Sequence, residues 1–261
     1  MTYYEIFRSC FAHYDTCEEV FSRLLRADSC DIVRTEHGFA AVRDNKIELI
    51  CVLPQFQRSG EGRALLSLCE SRIKEKGFDR VAVGGGLIFG AEESSSEFWG
   101  RCGYEVGEQS YADMVLELDG FSVPSVAFPD DVSFGFFSGD IGELHRAVAA
   151  VEQDWVQYFT QGGLFCCAFV SGEIASFCIV DERIDSLLCD GNAAVGSVGC
   201  VGTVPKFRCR GLGLHTVAQA SEWLRDNGCD RVSINYTALW DWYGRLSARP
   251  FRFFRFAEKK L

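Results

Sequence analysis

The stretch PKFRCRGLGLHTV, residues 205–217, places three cationic side chains and two glycines directly before a run that reads as a helix. The apolar run VGSVGCVGTV precedes it, so the stretch joins a strand to a helix. Glycine permits backbone conformations and close approaches that a Cβ would block. At a helix start, free N–H groups and the positive end of the helix dipole favour a bound anion. The stretch therefore predicts either a phosphate site or a tight strand-to-helix packing contact.

The same pattern occurs twice in the chain. PQFQRSGEG from Pro54 aligns with PKFRCRGLG from Pro205, so each residue of the first copy corresponds to the residue 151 positions later. The alignment holds without gaps as far as GFDRV from Gly77 and GCDRV from Gly228. A repeat of this length indicates a duplicated domain, because solenoid units have only about 20 to 50 residues. We predict an N-terminal domain over residues 1–120, a linker over residues 121–130 and a C-terminal domain over residues 131–261.

The two copies predict the same order of elements. KIELICVLP and VGSVGCVGTVP read as apolar strands that end at proline, and each is followed by an amphipathic helix that stops at glycine. Hairpins are expected upstream, with turns at Asp44-Asn45 and Ser171-Gly172. Hairpins before a strand–helix–strand crossover predict an α/β (α+β) fold. We expect each domain to have a mixed, mostly antiparallel sheet with helices on both faces.

Length and composition describe a folded protein of ordinary size. The 261 residues suffice for one large domain or two ordinary ones. Hydrophobic residues make up 48% of the chain and charged residues 24%, which is typical of a soluble globular protein. No apolar run approaches the roughly 20 residues that cross a bilayer, and MTYYEIFRSCF at the N-terminus has no signal-peptide pattern. We therefore expect a cytoplasmic protein with no membrane partner.

Cysteine usage and net charge narrow the functional classes. The thirteen cysteines are scattered, several of them in apolar runs, which favours reduced buried thiols over a disulfide framework. No CxxC pair has a second pair at zinc-ligand spacing, so we expect no metal. A net charge of −11 argues against a nucleic-acid partner and is compatible with a small cationic acceptor such as an amine.

The glycine turns differ from two well-known nucleotide loops. A Rossmann turn needs GxGxxG close to the strand and an acidic residue about twenty positions later, and that spacing is absent here. A Walker A loop needs Gly-Lys-Ser/Thr, which is also absent. Arg58 in the first turn and Lys206, Arg208 and Arg210 in the second add positive charge where an anion would bind.

The pattern V-x-P-x-x-[QR]-x-x-G-x-[GA] resembles the signature of the GNAT superfamily of N-acetyltransferases. Residues 52–62 fit it throughout, and the second copy has Thr203 in place of the valine and otherwise matches. A later GNAT motif, an aromatic-Tyr pair ahead of Gly-Phe, is echoed by FWGRCGY from Phe98 and WYGRLSARPF from Trp242. The resemblance spans both halves and implies a tandem GNAT protein of the bacterial type.

The resemblance implies acetyl-CoA as co-substrate and direct attack of an amine on its thioester, without a metal. Backbone N–H groups near the ends of the two apolar strands would then polarise the thioester carbonyl. The residues that the resemblance assigns to CoA binding are Val52, Gln57, Arg58, Ser59, Gly60, Gly62, Thr203, Arg208, Arg210, Gly211, Gly213 and Asn235.

The resemblance places catalysis in the C-terminal half. The tyrosine of the aromatic-Tyr pair is the usual proton donor to the thiolate, which assigns this role to Tyr243. The first copy has Trp99 there, and an indole does not titrate near neutral pH. It also carries an insertion that contains GGGLIFG, residues 84–90. Glu48 lies where some GNAT enzymes carry a glutamate, but we interpret it as a solvent-facing strand residue, and the general base stays open.

These features favour an acetyl-CoA-dependent N-acetyltransferase that acts on a primary amine, with a small cationic molecule as the expected acceptor. A non-catalytic CoA-binding or scaffolding protein and a peptide N-terminal acetyltransferase are the alternatives. The sequence leaves the oligomeric state open.

Overall fold

The structure is a computed structural model that describes residues 1–27, 30–83 and 95–261, without the side chain of Ala27. The glycine-rich insertion predicted at residues 84–90 lies outside the described residues. The described helices are α1 (Tyr3–Cys10), α2 (Glu18–Ala27), α3 (Glu61–Glu75), α4 (Ser96–Arg101), α5 (Ile141–Ala149), α6 (Leu212–Asp226) and α7 (Trp240–Gly244). The described strands are β1 (Asp31–Arg34), β2 (Gly38–Arg43), β3 (Lys46–Val52), β4 (Arg80–Val83), β5 (Glu105–Val106), β6 (Tyr111–Glu117), β7 (Val132–Phe136), β8 (Leu164–Val170), β9 (Glu173–Asp181), β10 (Val195–Thr203), β11 (Arg231–Thr237), β12 (Arg249–Phe254) and β13 (Ala257–Lys260).

The first compact unit is built on a mixed sheet. Among the described residues its strand order is β1-β2-β3-β4-β13-β5. β3 and β4 are parallel, and the pairs β1–β2, β2–β3, β4–β13 and β13–β5 are antiparallel. Ala40 and Val42 pack in one apolar cluster with residues of α3, whereas Phe39 and Ala41 pack in another with residues of α1 and α2. Because neighbouring strand residues point to opposite faces, helices cover both faces of this sheet.

The second compact unit repeats this architecture. Within this unit and among the described residues, the strand order is β6-β11-β10-β9-β8-β7, to which β6 contributes Met114–Glu117. β10 and β11 are parallel, and β7 to β10 pair antiparallel in sequence order. Cys167 packs with Leu144 of α5, and its neighbour Ala168 packs with Leu212 of α6. The predicted fold class, two α/β domains with mixed sheets and helices on both faces, is therefore confirmed.

The composition of the units differs from a division at residues 121–130. The first unit comprises Met1–Asp113, Asp185–Asn192 and Phe251–Leu261, and the second comprises Met114–Ile184 and Ala193–Pro250. β13, from the end of the chain, pairs between β4 and β5 of the first sheet, and β6 lies next to β11 in the second. Sequence periodicity marks strands but does not say which sheet a terminal strand joins, so a purely linear division cannot capture this arrangement.

Residues of the long connection between β9 and β10 complete the core of the first unit. Thr16 Oγ1 donates to the carbonyl of Leu187 at 2.8 Å, and the Cys17 N–H donates to the carbonyl of Cys189 at 2.9 Å. Leu187 is buried with Phe7 and other residues of α1 and α2.

Both predicted hairpin turns are confirmed. Asp44, between β2 and β3, has φ = 50°, and Ser171 and Gly172, between β8 and β9, have φ = 49° and 83°. Positive φ values let a two-residue turn follow the right-handed twist of its strands, which is why Asp-Asn and Ser-Gly suit these positions.

The thirteen cysteines all lie within the described residues, and all are free thiols. Cys51, Cys69, Cys167 and Cys178 are fully buried or nearly so. This burial agrees with the prediction of buried thiols in apolar runs.

Candidate functional site

The two glycine turns, residues 57–62 and 208–213, have matching backbones. Each follows a strand and a single 3-10 turn that begins at proline, and each leads into a helix of 15 residues. Arg58 and its counterpart Cys209 both have φ = 62°, and the N-cap glycines Gly60 and Gly211 have φ = 97° and 77°. The 151-residue correspondence read from the sequence therefore extends to individual dihedral angles.

The first glycine of each turn serves backbone conformation. The positive φ of Gly60 and Gly211 is the left-handed region that other residues rarely adopt. A Cβ built on either glycine meets no atom within 4 Å, so the space beside the turn is open in both units.

The second glycine of each turn serves packing. A Cβ on Gly213 would lie 2.7 Å from Thr203 Oγ1 and 3.4 Å from the Trp242 ring. A Cβ on Gly62 would lie 3.5 Å from the ring of Phe98, the counterpart of Trp242 in the aromatic motif. The packing interpretation of Gly-x-Gly thus holds for its second glycine, most strictly in the second unit.

The helices start without side-chain caps. Neither Gly60 nor Gly211 can cap, and no side chain caps α3 or α6. The carbonyl of Gly60 accepts from the N–H groups of Arg63 and Ala64, and the carbonyl of Gly211 accepts from that of His215. The N–H groups before these positions point out of the helix start, where an anion can accept from them.

One side chain in each turn ties the loop to the end of the preceding strand. Gln57 Nε2 donates to the carbonyl of Val52 at 3.0 Å, and Arg208 Nε donates to the carbonyl of Thr203 at 3.2 Å. Ser59 Oγ donates to the carbonyl of Phe56 at 2.6 Å. These bonds fix the path of the loop, and the Arg208 guanidinium adds a positive charge to the second turn.

The charge at the two turns differs. In the second turn Arg208 and Arg210 are exposed, and Leu212, the first residue of α6, is buried. In the first turn the corresponding first residue of α3 is Glu61, whose Oε1 accepts from the His37 N–H at 3.3 Å. A hydrogen bond from the Thr35 hydroxyl lowers the pKa of this half-buried carboxyl, so it is ionised at neutral pH. A carboxylate at a helix start competes with any other anion there, which makes the second turn the better anion site.

The strand before the second turn parts from its parallel neighbour. β10 and β11 pair at Val195–Arg231, Gly196–Val232 and Ser197–Ser233. Beyond Ser197, β10 continues to Thr203 with its pairing to β9 interrupted by a bulge between Gly199 and Gly202. Cys200 in this bulge has φ = 47°. A bulge interrupts the regular ladder, so backbone groups of this segment are released from pairing with β9.

Tyr243 lies on α7, the short helix that follows β11 along the chain. It is only 6% exposed, and its ring makes an edge contact with the neighbouring Trp242 at 4.7 Å between centroids. Burial raises the pKa of Tyr243 well above its ordinary value, and the neighbouring thiols of Cys178 and Cys200 raise it further. The phenol therefore keeps its proton at neutral pH and is available as a donor.

Two family models match the chain. One, the acetyltransferase (GNAT) family, matches residues 134–246, and the other, an acetyltransferase (GNAT) domain, matches residues 24–116. The chain belongs to the GNAT family of acetyltransferases. It contains two GNAT domains in tandem, as the sequence pattern implied.

A curated relative and several solved structures are similar to the chain. The Bacillus subtilis (strain 168) protein named "Uncharacterized protein YyaT" is 24% identical over 123 residues, which is 47% of this chain and 74% of that protein. The GCN5-related glucosamine N-acetyltransferase region of a fungal GH3 β-N-acetylglucosaminidase superposes with a TM-score of 0.76 at 19% identity. That match covers 98% of this chain, which spans only 36% of the fungal chain.

Two further structures are similar over most of both chains. A GCN5-related N-acetyltransferase from Sphaerobacter thermophilus gives a TM-score of 0.72 at 16% identity, with 98% of this chain and 90% of that chain covered. A tandem GNAT protein from the clavulanic acid biosynthesis pathway gives 0.59 at 15% identity, with 87% and 81% covered. At these identities the structures establish the shared GNAT fold.

The first GNAT domain holds a different group at the position of Tyr243. Trp99 is fully buried, and its Nε1 donates to Ser95 Oγ at 3.1 Å. The indole N–H therefore already has a hydrogen-bond acceptor within the first domain. Glu48 is 1% exposed and ion-paired with Arg43, so the interpretation of Glu48 as a solvent-facing strand residue is wrong. The pleat of β3 is broken there, because the β2–β3 register shifts between Ala41 and Val42.

Asn235, the remaining predicted CoA ligand, is exposed near the end of β11. Its side-chain oxygen accepts from Ser233 Oγ at 2.8 Å. Asn235 therefore lies on β11, one of the two strands that part, and Tyr243 lies on α7, the next helix along the chain.

Two features of the site were not predicted from the sequence. The first is the left-handed conformation of Cys200 in the β10 bulge. The repeated small residues of VGSVGCVG indicate that this strand tolerates such an irregularity. The difference between Glu61 and Leu212 was visible in the aligned turns, but only their structural position at the helix start gives it meaning.

Within residues 1–27, 30–83 and 95–261, no group of three or more His, Cys, Asp or Glu side chains is arranged to hold a metal ion. Within the same ranges, every helix is too short or too polar to span a membrane.

The raised pKa of Tyr243 predicts a loss of stability at alkaline pH. The unfolded chain releases this proton near the ordinary tyrosine pKa of about 10, whereas the folded chain retains it, so folding weakens as pH rises above about 10. Urea unfolding of wild type and Tyr243→Phe at pH 8 and pH 11 measures this contribution. Between the two pH values the wild type should lose about 1.4 kcal/mol more than the variant. Tyr158→Phe, at a tyrosine that is 57% exposed, is the control, and equal losses in all three proteins would contradict the assignment.

Proposed function

We propose that the chain is an acetyl-CoA-dependent N-acetyltransferase that acetylates a primary amine, and that its second GNAT domain carries the chemistry. One observation supports the choice of domain above the others. In the second domain a cationic, uncapped helix start follows β10, and a buried, protonated tyrosine lies on the helix that follows β11. In the first domain the helix start carries Glu61, and Trp99 stands in place of the tyrosine.

The second glycine turn fits a diphosphate. Its open space at Gly211 and uncapped N–H groups suit phosphate oxygens, and Arg208 and Arg210 add charge-assisted donors. Asn235 and Thr203 would contact the rest of the CoA chain. In the first domain the corresponding proposed ligands are Val52, Gln57, Arg58, Ser59, Gly60 and Gly62, and we propose a weaker CoA site there.

Bound acetyl-CoA would supply an activated acyl group as a thioester. The backbone N–H groups around the β10 bulge and Thr203 would polarise its carbonyl, as electrostatic stabilisation of a tetrahedral intermediate requires. The amine nitrogen forms the new C–N bond and loses a proton, while the C–S bond breaks. Tyr243 donates its proton to the departing thiolate and recovers one from solvent, so the overall reaction releases one proton from an acceptor that arrives as ammonium.

We propose a small cationic acceptor. A net charge of −11 favours approach of cations over anions. The similarity to a glucosamine N-acetyltransferase region makes an amino sugar one member of the substrate panel. A protein N-terminus is the second acceptor class to test.

Free thiol release tests the function. Wild type should release thiol from acetyl-CoA with at least one amine of a panel that contains alkylamines, glucosamine and a peptide. Tyr243→Phe should lower kcat about 100-fold or more, within the range of general acid catalysis, because the thiolate then leaves without a proton donor. Trp99→Phe is the matched control in the first domain and should keep wild-type kcat. Wild-type activity in Tyr243→Phe would remove the residue from its proposed role. Absence of thiol release with every amine would favour a non-catalytic CoA-binding protein.

The charge difference between the two turns predicts their order of affinity for CoA. Isothermal titration calorimetry should resolve a tight site that Arg210→Glu weakens and a weaker site that Arg210→Glu leaves unchanged. Glu61→Leu, which installs the residue found at the corresponding position of the second turn, should tighten the weaker site about two- to five-fold, the range expected for one charge at a helix start. Arg63→Leu, in the same first turn of α3, removes a charge of the opposite sign and should not tighten it. A weaker site unaffected by Glu61→Leu would contradict the electrostatic explanation.

A further inference from the structure

The corresponding strand ends of the two GNAT domains carry opposite charges. Arg43 of β2 pairs with Lys46 of β3, and Asp181 of β9 pairs with Ser197 of β10. Lys46 and Ser197 are 151 residues apart, so Arg43 and Asp181 occupy equivalent places in the two sheets.

In the first domain, two side chains of the protein itself occupy this place. Arg43 Nε donates to Glu48 Oε1 at 3.0 Å, and the Glu48 side chain is 1% exposed. A cation and an anion of the protein thus neutralise each other beside the irregular part of β3.

In the second domain both partners are changed and the place is open. Glu48 corresponds to Gly199, and a Cβ built on Gly199 meets no atom within 4 Å. By contrast, a Cβ on Gly196 of the same strand would lie 2.8 Å from the Leu224 side chain. The open space is therefore a local feature of the strand surface at Gly199.

Asp181 and Gly199 lie on one face of the sheet. Gly199 pairs with Ile179, and Asp181 follows Ile179 at the two-residue spacing that keeps side chains on the same face. Ile179 and Phe177 pack with α5 on this face. Asp181 is exposed, and Ser197 Oγ donates to its Oδ2 at 2.7 Å, which orients the carboxylate.

This face borders the proposed thioester site. Ser197 is the last residue of β10 paired with β11, so the strands part directly beside Asp181. Burial raises the pKa of Cys200 to about 11, and the negative charge of Asp181 adds to the rise, which places the carboxylate within electrostatic range of the bulge. The thiol of Cys200 in turn raises the pKa of Tyr243.

We propose that Asp181 and the open space at Gly199 bind the ammonium group of the acceptor amine in the second domain, a role that rests on the proposed N-acetyltransferase function. An oriented carboxylate makes charge-assisted hydrogen bonds to an ammonium group, and the absent side chain at position 199 leaves room for it. Asp181 selects acceptors that arrive protonated, and the first domain excludes them because Arg43 and Glu48 occupy the equivalent place. Asp181 is a specificity-determining residue here, distinct from the proton donor Tyr243.

The test separates amine binding from turnover. Isothermal titration calorimetry at pH 7 with saturating CoA measures binding of n-butylamine, 1,4-diaminobutane and glucosamine to wild type and three variants. Asp181→Asn keeps an acceptor for the Ser197 hydroxyl but removes the charge, and Gly199→Leu fills the open space. Glu182→Gln removes the adjacent exposed carboxylate and is the control. The CoA-induced rise in Tm should be the same in all four proteins, which verifies folding and the CoA site.

Wild type and Glu182→Gln should bind at least one of the three amines, and Asp181→Asn and Gly199→Leu should bind it about tenfold more weakly or worse, as expected for a lost charge-assisted hydrogen bond. Turnover of aniline, which is uncharged at pH 7, should fall less in Asp181→Asn than turnover of n-butylamine. Binding by Asp181→Asn within twofold of wild type, or no binding of any of the three amines to wild type, would overturn the proposal. Asp181-dependent binding without thiol release would support this amine site and reject the proposed transferase function.

Discussion

The helix start after each glycine turn depends on one constraint: a residue at positive φ must precede the helix without a side chain that could cap it. Gly60 and Gly211 satisfy this constraint in the two domains. A serine or aspartate N-cap would stabilise the helix by about 1 kcal/mol and would occupy the N–H groups at its start. Glycine gives up that stabilisation and leaves these groups available for an anion. The strand end, the second glycine and the aromatic residue that packs on it then fix the position of the turn.

The duplication lets each domain serve as a control for the other. The backbones of the two turns agree in their dihedral angles, while the side chains that decide chemistry differ. The first helix residue after the turn is Glu61 in the first domain and Leu212 in the second, so the charge at the helix start differs. The aromatic motif has Trp99 in the first domain and Tyr243 in the second. These differences support our proposal that the second domain carries the CoA chemistry. The two domains share one fold and differ in the side chains at the corresponding positions.

The sequence predicted the fold class, the hairpin turns and the two glycine turns because each depends on local signals. Asp44 and Ser171 mark tight turns, and the glycines mark the helix starts. The composition of the compact units was beyond such signals, because the pairing of β13 with β4 is a long-range choice. The burial of Glu48 was also missed, since a carboxylate on a strand normally faces solvent, whereas here an ion pair with Arg43 offsets the cost of burying it. Asp181 had no motif to single it out, and its position beside an open space emerges only from strand register.

A crystal structure of the chain with acetyl-CoA tests the central claim most directly. The account predicts diphosphate oxygens within about 3 Å of backbone N–H groups of residues 208–213, with the thioester between β10 and β11 near Tyr243. A diphosphate bound away from both glycine turns, or a thioester remote from the opening between these strands, would contradict it.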